Sequence, residues 1–80
     1  MNTKLTLNDI KVGEKAVVDR LLTHGDMRRR LLDIGLTEGA EVECIGTSPA
    51  GDPAAYLIRG AVIAIRSEDS SDIIVRRKNT

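Results

Sequence analysis

Three consecutive arginines, Arg28, Arg29 and Arg30, are the side chains of this chain whose placement suits binding chemistry. They make a candidate basic docking surface; the plainer reading is a solvated helix face whose arginine stems cover neighbouring apolar surface. Covalent chemistry has little to work with. Nucleophilic catalysis needs a base beside Ser or Cys, and the single histidine, His24, is far in sequence from the single cysteine, Cys44. A structural zinc site wants about four Cys or His ligands, which one of each cannot supply. His24 and Asp26 are the candidate metal ligands, yet two donors alone rarely hold a transition metal against water. No G-x-x-x-x-G-K-[ST] or G-x-G-x-x-G stretch stands between a strand and a helix to cradle a nucleotide. The expectation is a protein that is not an enzyme and has no catalytic residues.

The arginines must be positioned by a helix. Met27, Leu31 and Ile34 recur at i, i+4, i+7 and form one apolar stripe, with Asp26 as N-cap. Gly35 ends the helix, because the residue just past the last turn takes a left-handed conformation that glycine adopts freely. This reading places Arg28, Arg29 and Arg30 in the first turn, beside the positive end of the macrodipole, at a cost of up to about 1 kcal/mol each. Asp33 stands four residues after Arg29 and can pair with it, in the weaker orientation.

The rest of the chain reads as short strands. Lys15 to Leu22 is the first long one: Ala16 and Val18 alternate inward, then Leu21 and Leu22 break the phase, which predicts a bulge or bend. From Gly39 onward Ala40, Val42 and Cys44 face one way and Glu41 and Glu43 the other, so Cys44 is expected as a small core residue. Two prolines make Thr47 to Pro53 a loop. Taking Arg59-Gly60 as a two-residue turn pairs Ile58 with Ala61, Tyr56 with Ile63 and Ala54 with Ile65 on one face. The same register leaves Ala55, Leu57, Val62 and Ala64 together on the other face, where the helix, a partner protein or a second copy of the chain must cover them. Ser67 to Asp72 reads as a polar turn, and Ile73 and Val75 as a last strand. Five short strands and one inserted helix predict a mainly β fold, a small SH3-like barrel.

Eighty residues bound what such a domain can do, since a chain this short buries only about 60–65% of its unfolded surface and holds no large cleft. A single domain over residues 1–80, with its core at about 5–76, is expected. Twelve basic and twelve acidic residues give zero net charge, so no bulk field draws the chain to nucleic acid or to an anionic membrane. No segment has the length and apolarity of a signal peptide or a membrane span, and one cysteine fits a reducing compartment, so a cytoplasmic location is expected. Tyr56 is the only aromatic residue, which disfavours grooves for proline-rich peptides and stacking on single-stranded nucleic acid.

The pattern from Leu7-x-Asp9-Ile10-x-x-Gly13-Glu14 through Met27-Arg28-Arg29-Arg30-Leu31-Leu32-Asp33-Ile34-Gly35-Leu36-x-x-Gly39, then Gly51-Asp52-Pro53 and Arg59-Gly60, strongly resembles the FeoA family over about Leu5 to Val75. The resemblance implies an SH3-like barrel with an extra helix, acting without catalysis as a cytoplasmic partner of FeoB, the membrane GTPase that moves ferrous iron. It also implies ferrous iron or another transition metal as the ligand to look for. Carried onto this sequence, the family's helix positions are Met27, Arg28, Arg30, Leu31 and Leu36, and its loop position is Asp52. Cys44 departs from a typical Val or Ile, and Ala50 from a larger apolar residue. Met27, Arg28, Arg30, Leu31, Leu36 and Asp52, together with Leu57 and Val62 on the open hairpin face, make the expected partner-binding set. Three functions compete: a module that docks on and regulates the FeoB-type transporter, a metal-responsive protein using His24 and nearby carboxylates, and a nucleic-acid module combining Arg28 to Arg30 with Arg76, Arg77 and Lys78.

Overall fold

The computed structural model describes residues 5–78. Strands β1 (Lys15–Leu21), β2 (Glu41–Thr47), β3 (Ala54–Ile58), β4 (Ala61–Ile65) and β5 (Ile73–Arg77) form one sheet in the order β4-β3-β2-β1-β5. All its pairings are antiparallel. Helix α1 (Gly25–Asp33) is inserted between β1 and β2, and a single-turn helix α2 (Ser67–Ser70) joins β4 to β5. Alternating side chains from all five strands, among them Val18, Val42, Tyr56, Ile65 and Ile73, converge with Leu31 and Leu36 in one core. The fold is the expected SH3-like one, except that β4 and β5 stay unpaired with each other and the sheet does not close.

The phase slip in β1 is real: its pairing with β5 shifts register between Val18 and Arg20. A second shift, between Cys44 and Gly46 where β2 meets β3, has no counterpart in the apolar pattern. The β3–β4 hairpin has the expected register throughout, from Ile58 opposite Ala61 to Ala54 opposite Ile65. Its turn residues Arg59 and Gly60 have φ of 50° and 84°, the left-handed pair that matches the twist of the flanking strands.

Ile73 and Val75 enter the core, and Ile74, pointing the other way, is buried too. The amino-terminal segment pairs with the backbone there: Thr6 bridges to Ile74, and Val75 N donates to Leu5 O at 2.9 Å. A turn of 3-10 helix, Leu7–Asp9, follows, with Leu7 fully buried and the Asp9 carboxylate accepting from Thr6 N at 2.9 Å.

The stretch from Ser67 is not a featureless turn. Ser70 is buried, its hydroxyl within 3.4 Å of Asn8 Oδ1, and the Asp52 carboxylate accepts from Ser67 N at 2.8 Å and Ser67 Oγ at 3.2 Å. Asp52 thereby ties the loop before β3 to the start of α2.

Candidate functional site

Helix α1 begins two residues earlier than the sequence indicates. His24, not Asp26, is the N-cap residue, and its side chain makes no capping bond. Asp26 falls inside the first turn, where its charge suits the macrodipole, and Arg30 falls in the last turn, where a cation is favoured. The dipole penalty expected for Arg30 therefore does not arise. The helix ends as its sequence indicates. Gly35, at φ 102°, allows Gly35 N to donate to Leu32 O at 3.1 Å and Leu36 N to Leu31 O at 2.9 Å, a paired arrangement that satisfies two terminal carbonyls.

Of the predicted stripe, Leu31 is 3% exposed, Met27 is half-buried against the core and Ile34 is left exposed at 36%. Leu36, just past the helix, is fully buried. A further strut comes from the hairpin: Arg59 Nε donates to Gly35 O at 3.2 Å and its guanidinium reaches Thr37 Oγ1 at 3.4 Å. Arg59 is the one non-glycine residue with positive φ among the described residues, a conformation that costs about 1–2 kcal/mol, and these bonds hold the turn against that cost.

A groove of about 390 Å³ runs between α1 and β4. Met27, Leu31 and Ile34 line it from the helix and Ile63 and Ile65 from the strand, with Arg30, Asp33, Arg66 and Asp69 also lining it. The sequence-predicted residues Met27, Arg30 and Leu31 thus come together there. Leu57 and Val62, a cross-strand pair, lie on the other face of the hairpin, where Val62 is 61% exposed. Helix α1 therefore does not cover that face. Asp52 is exposed at the α2 junction. Sequence reasoning missed Ile63, Ile65, Arg66 and Asp69 as groove residues; the hairpin register already turned Ile63 and Ile65 inward, and only the position of α1 was lacking.

The cations divide into two sets. Arg76 pairs with Asp19 at 3.4 Å, Arg77 with Glu14 at 2.7 Å, and Lys78 with Glu41 at 2.8 Å. The Lys11 backbone N–H and then the Arg77 guanidinium hold the Glu14 carboxyl below its ordinary value, and a hydrogen bond from Lys78 does the same for Glu41. Among the described residues, by contrast, Arg28, Arg29 and Arg30 form no ion pair, so the Arg29–Asp33 pairing that the spacing allows does not occur. Arg28 donates to Leu21 O at 3.2 Å.

His24 and Asp26 sit exposed at the start of α1, and Cys44 is buried in β2 as expected. Among the described residues no three His, Cys, Asp or Glu side chains come together as a metal site. The donor set does not fit a tightly held metal ion.

This arrangement, an SH3-like sheet with a basic helix inserted after its first strand, matches the FeoA domain over residues 5–77, and the chain belongs to the FeoA family. It is similar to a fusion of Fe(2+) transport protein A with the Fe(2+) transporter FeoB from Porphyromonas gingivalis, at 30% identity over 71 residues. That match takes in 89% of this chain and 8% of the fusion, so the chain spans less than a tenth of that relative's length. The solution structure of FeoA from Chlorobium tepidum superposes with a TM-score of 0.89 at 29% identity, covering 94% of this chain and 71% of that one. A zinc complex of Stenotrophomonas maltophilia FeoA, described as a procaryotic SH3 domain protein, superposes with a TM-score of 0.78 at 25% identity, covering 89% and 88%. The family ties the chain to ferrous iron transport. No helix of the described residues is long and apolar enough to cross a membrane.

Proposed function

We propose that this chain is a non-enzymatic, cytoplasmic accessory of ferrous iron uptake that docks on a FeoB-type membrane GTPase and regulates it, with α1 as the contact. The observation that carries the reading is the division of the cations. Those at the end of β5, Arg76, Arg77 and the adjoining Lys78, are paired with carboxylates of β1, β2 and the turn before β1, while Arg28, Arg29 and Arg30 are left without carboxylate partners on an exposed helix. A partner surface bearing carboxylates would complete them, and such complementarity sets register and on-rate. The fusion of the two proteins in Porphyromonas gingivalis supports the pairing, since one chain there carries both. Met27 at the groove, Asp52 at the α2 junction, and Leu57 and Val62 on the hairpin face extend the proposed contact set; Leu31 and Leu36 act from the core by holding the helix.

The test is capture of the transporter's soluble domain. Arg28→Ala/Arg30→Ala weakens capture by about tenfold or more, as loss of complementary charge at an interface does. Its melting temperature stays near that of the parent. Arg76→Ala, which removes a cation already paired with Asp19, leaves capture at the parental level. Parental capture by the α1 double variant removes the helix from the contact.

A further inference from the structure

The β3–β4 turn holds an arginine where its backbone favours another residue type. Both central residues of this two-residue turn stand at positive φ, which suits Asn, Asp or Gly at the first of them, and Arg59 occupies that place at φ 50°. Its side chain accounts for its presence. The stem lies so close over Gly35 that a Cβ there would stand 2.6 Å from Arg59 Cδ. Arg59 Nε donates to Gly35 O at 3.2 Å and a terminal guanidinium nitrogen to Thr37 Oγ1 at 3.4 Å, both on the segment that leaves α1. A strained non-glycine residue whose side chain spans two elements points to a role for that span.

Helix α1 has few other ties. Leu31 is its one buried side chain and Met27 packs half-buried against the core. Among the described residues no ion pair joins the helix to the sheet, and the side-chain hydrogen bonds that tie α1 and its exit to the strands come from Arg28, which reaches Leu21 O at 3.2 Å, and from Arg59. The two differ in what they fix. Arg28 holds the first half of the helix to the end of β1, whereas Arg59 holds its last turn to the hairpin. A guanidinium is a planar fork, so its two bonds set an orientation as well as a distance.

We infer that Arg59 is a positioning residue for the α1 contact: it fixes the end of the helix against the hairpin, so that Arg28, Arg29 and Arg30 meet a carboxylate-bearing partner already ordered. That role rests on the docking through α1 proposed above and assigns to it a residue outside the contact itself. Without the Arg59 tie the helix can pivot about Leu31. Its ordering must then accompany binding, which weakens affinity although every contacting side chain is still present.

Substitutions at Arg59 separate position from stability and from charge, with capture of the transporter's soluble domain and amide exchange of the free chain as readouts. Arg59→Gly removes the side chain and the backbone strain together, so it melts within about 5 °C of the parent, yet it weakens capture by about threefold to tenfold. The amides of Ile34, Gly35 and Leu36 lose protection in it while those of β1, β2 and β5 keep theirs. Arg59→Ala loses the side chain and keeps the strain; it melts lower and captures no worse than Arg59→Gly. Arg59→Lys keeps the charge without the fork, and its capture weakens as far as its α1 amides open. Parental capture by Arg59→Gly, or unchanged protection of its Ile34, Gly35 and Leu36 amides, overturns the inference. Capture that follows melting temperature from the glycine to the alanine variant also overturns it, leaving Arg59 a stabiliser alone; so does capture by Arg59→Lys that departs from its amide exchange, which makes the charge itself the contact. If Arg59→Gly captures at the parental level while Arg28→Ala/Arg30→Ala captures poorly, docking through α1 stands without a positioning role for Arg59. Parental capture by both takes the two readings down together.

Discussion

Helix α1 and strand β5 each bring three consecutive cations to the surface, and the fold treats them in opposite ways. Strand β5 buries Ile73, Ile74 and Val75 and then pairs Arg76, Arg77 and Lys78 with carboxylates on β1, β2 and the turn before β1. Helix α1 buries one side chain, Leu31, and leaves its arginines without a carboxylate. The difference teaches that a run of like charges has no fixed meaning: what lies across the sheet decides whether it is structural or available. It also sets an order of local stability, with β5 integral to the fold and α1 an appendage hung on a few anchors.

The largest effect should come from the integral side. Ile73→Ala removes a fully buried side chain from the core and costs about 2–5 kcal/mol, enough to unfold much of a small domain, measured by denaturant titration. Leu31→Ala falls in the lower part of that range, because the open groove beside it lets neighbours relax, and it frees α1 while the sheet remains cooperative. Amide exchange separates the two: α1 amides lose protection in Leu31→Ala while those of β1 and β5 keep theirs. If both variants melt the whole molecule alike, α1 is no appendage.

Gly35→Ala should come next. At φ 102° an alanine is strained by about 1–2 kcal/mol. Its Cβ would also stand 2.6 Å from Arg59 Cδ, so the Arg59 side chain must move and its bond to Gly35 O is lost. The expected signature is a lowered melting temperature, with shifted resonances at both Leu36 and Gly60, since one change loosens the helix end and the hairpin turn together.

The smallest effect belongs to the β5 ion pairs, which are exposed and screened. Glu14 is held below its ordinary value of 4.5 by the Lys11 N–H and then by Arg77. A carboxyl depressed in the folded state adds stability that is present above that ordinary value and is lost as pH falls through the folded one. The difference in melting temperature between the parent and Glu14→Gln should therefore be present at pH 7 and vanish in acid. A difference that persists below the folded value would mean that Glu14 acts through packing.

Much of this was legible in the residues, and the boundary follows the range of the interaction. Arg59-Gly60 fixed the hairpin register because a two-residue turn leaves one pairing, and Gly35 fixed the helix end because the left-handed position follows the last turn. The N-cap was misplaced by two residues: Asp26 has the right chemistry for a cap, yet the chain enters the helix at His24 and uses Asp26 inside the first turn. The polar stretch from Ser67 looked empty because its partners, Asp52 and Asn8, are 15 and 62 residues away. The groove escaped for the same reason, since no local pattern says that α1 lies alongside β4.

Tyr56 gives the molecule a built-in optical reporter. It is the only aromatic residue of a chain without tryptophan or phenylalanine, it is buried at the centre of β3, and its hydroxyl reaches Leu7 O at 3.4 Å. Its near-ultraviolet signal therefore comes from one place, the contact between the sheet and the amino-terminal turn. Burial raises the pKa of its phenol above the ordinary 10.0, so the phenolate absorbance that appears on alkaline titration reports core opening, not surface chemistry. A raised acid of this kind favours folding only while it stays neutral, and stability should fall as pH climbs past 10.0.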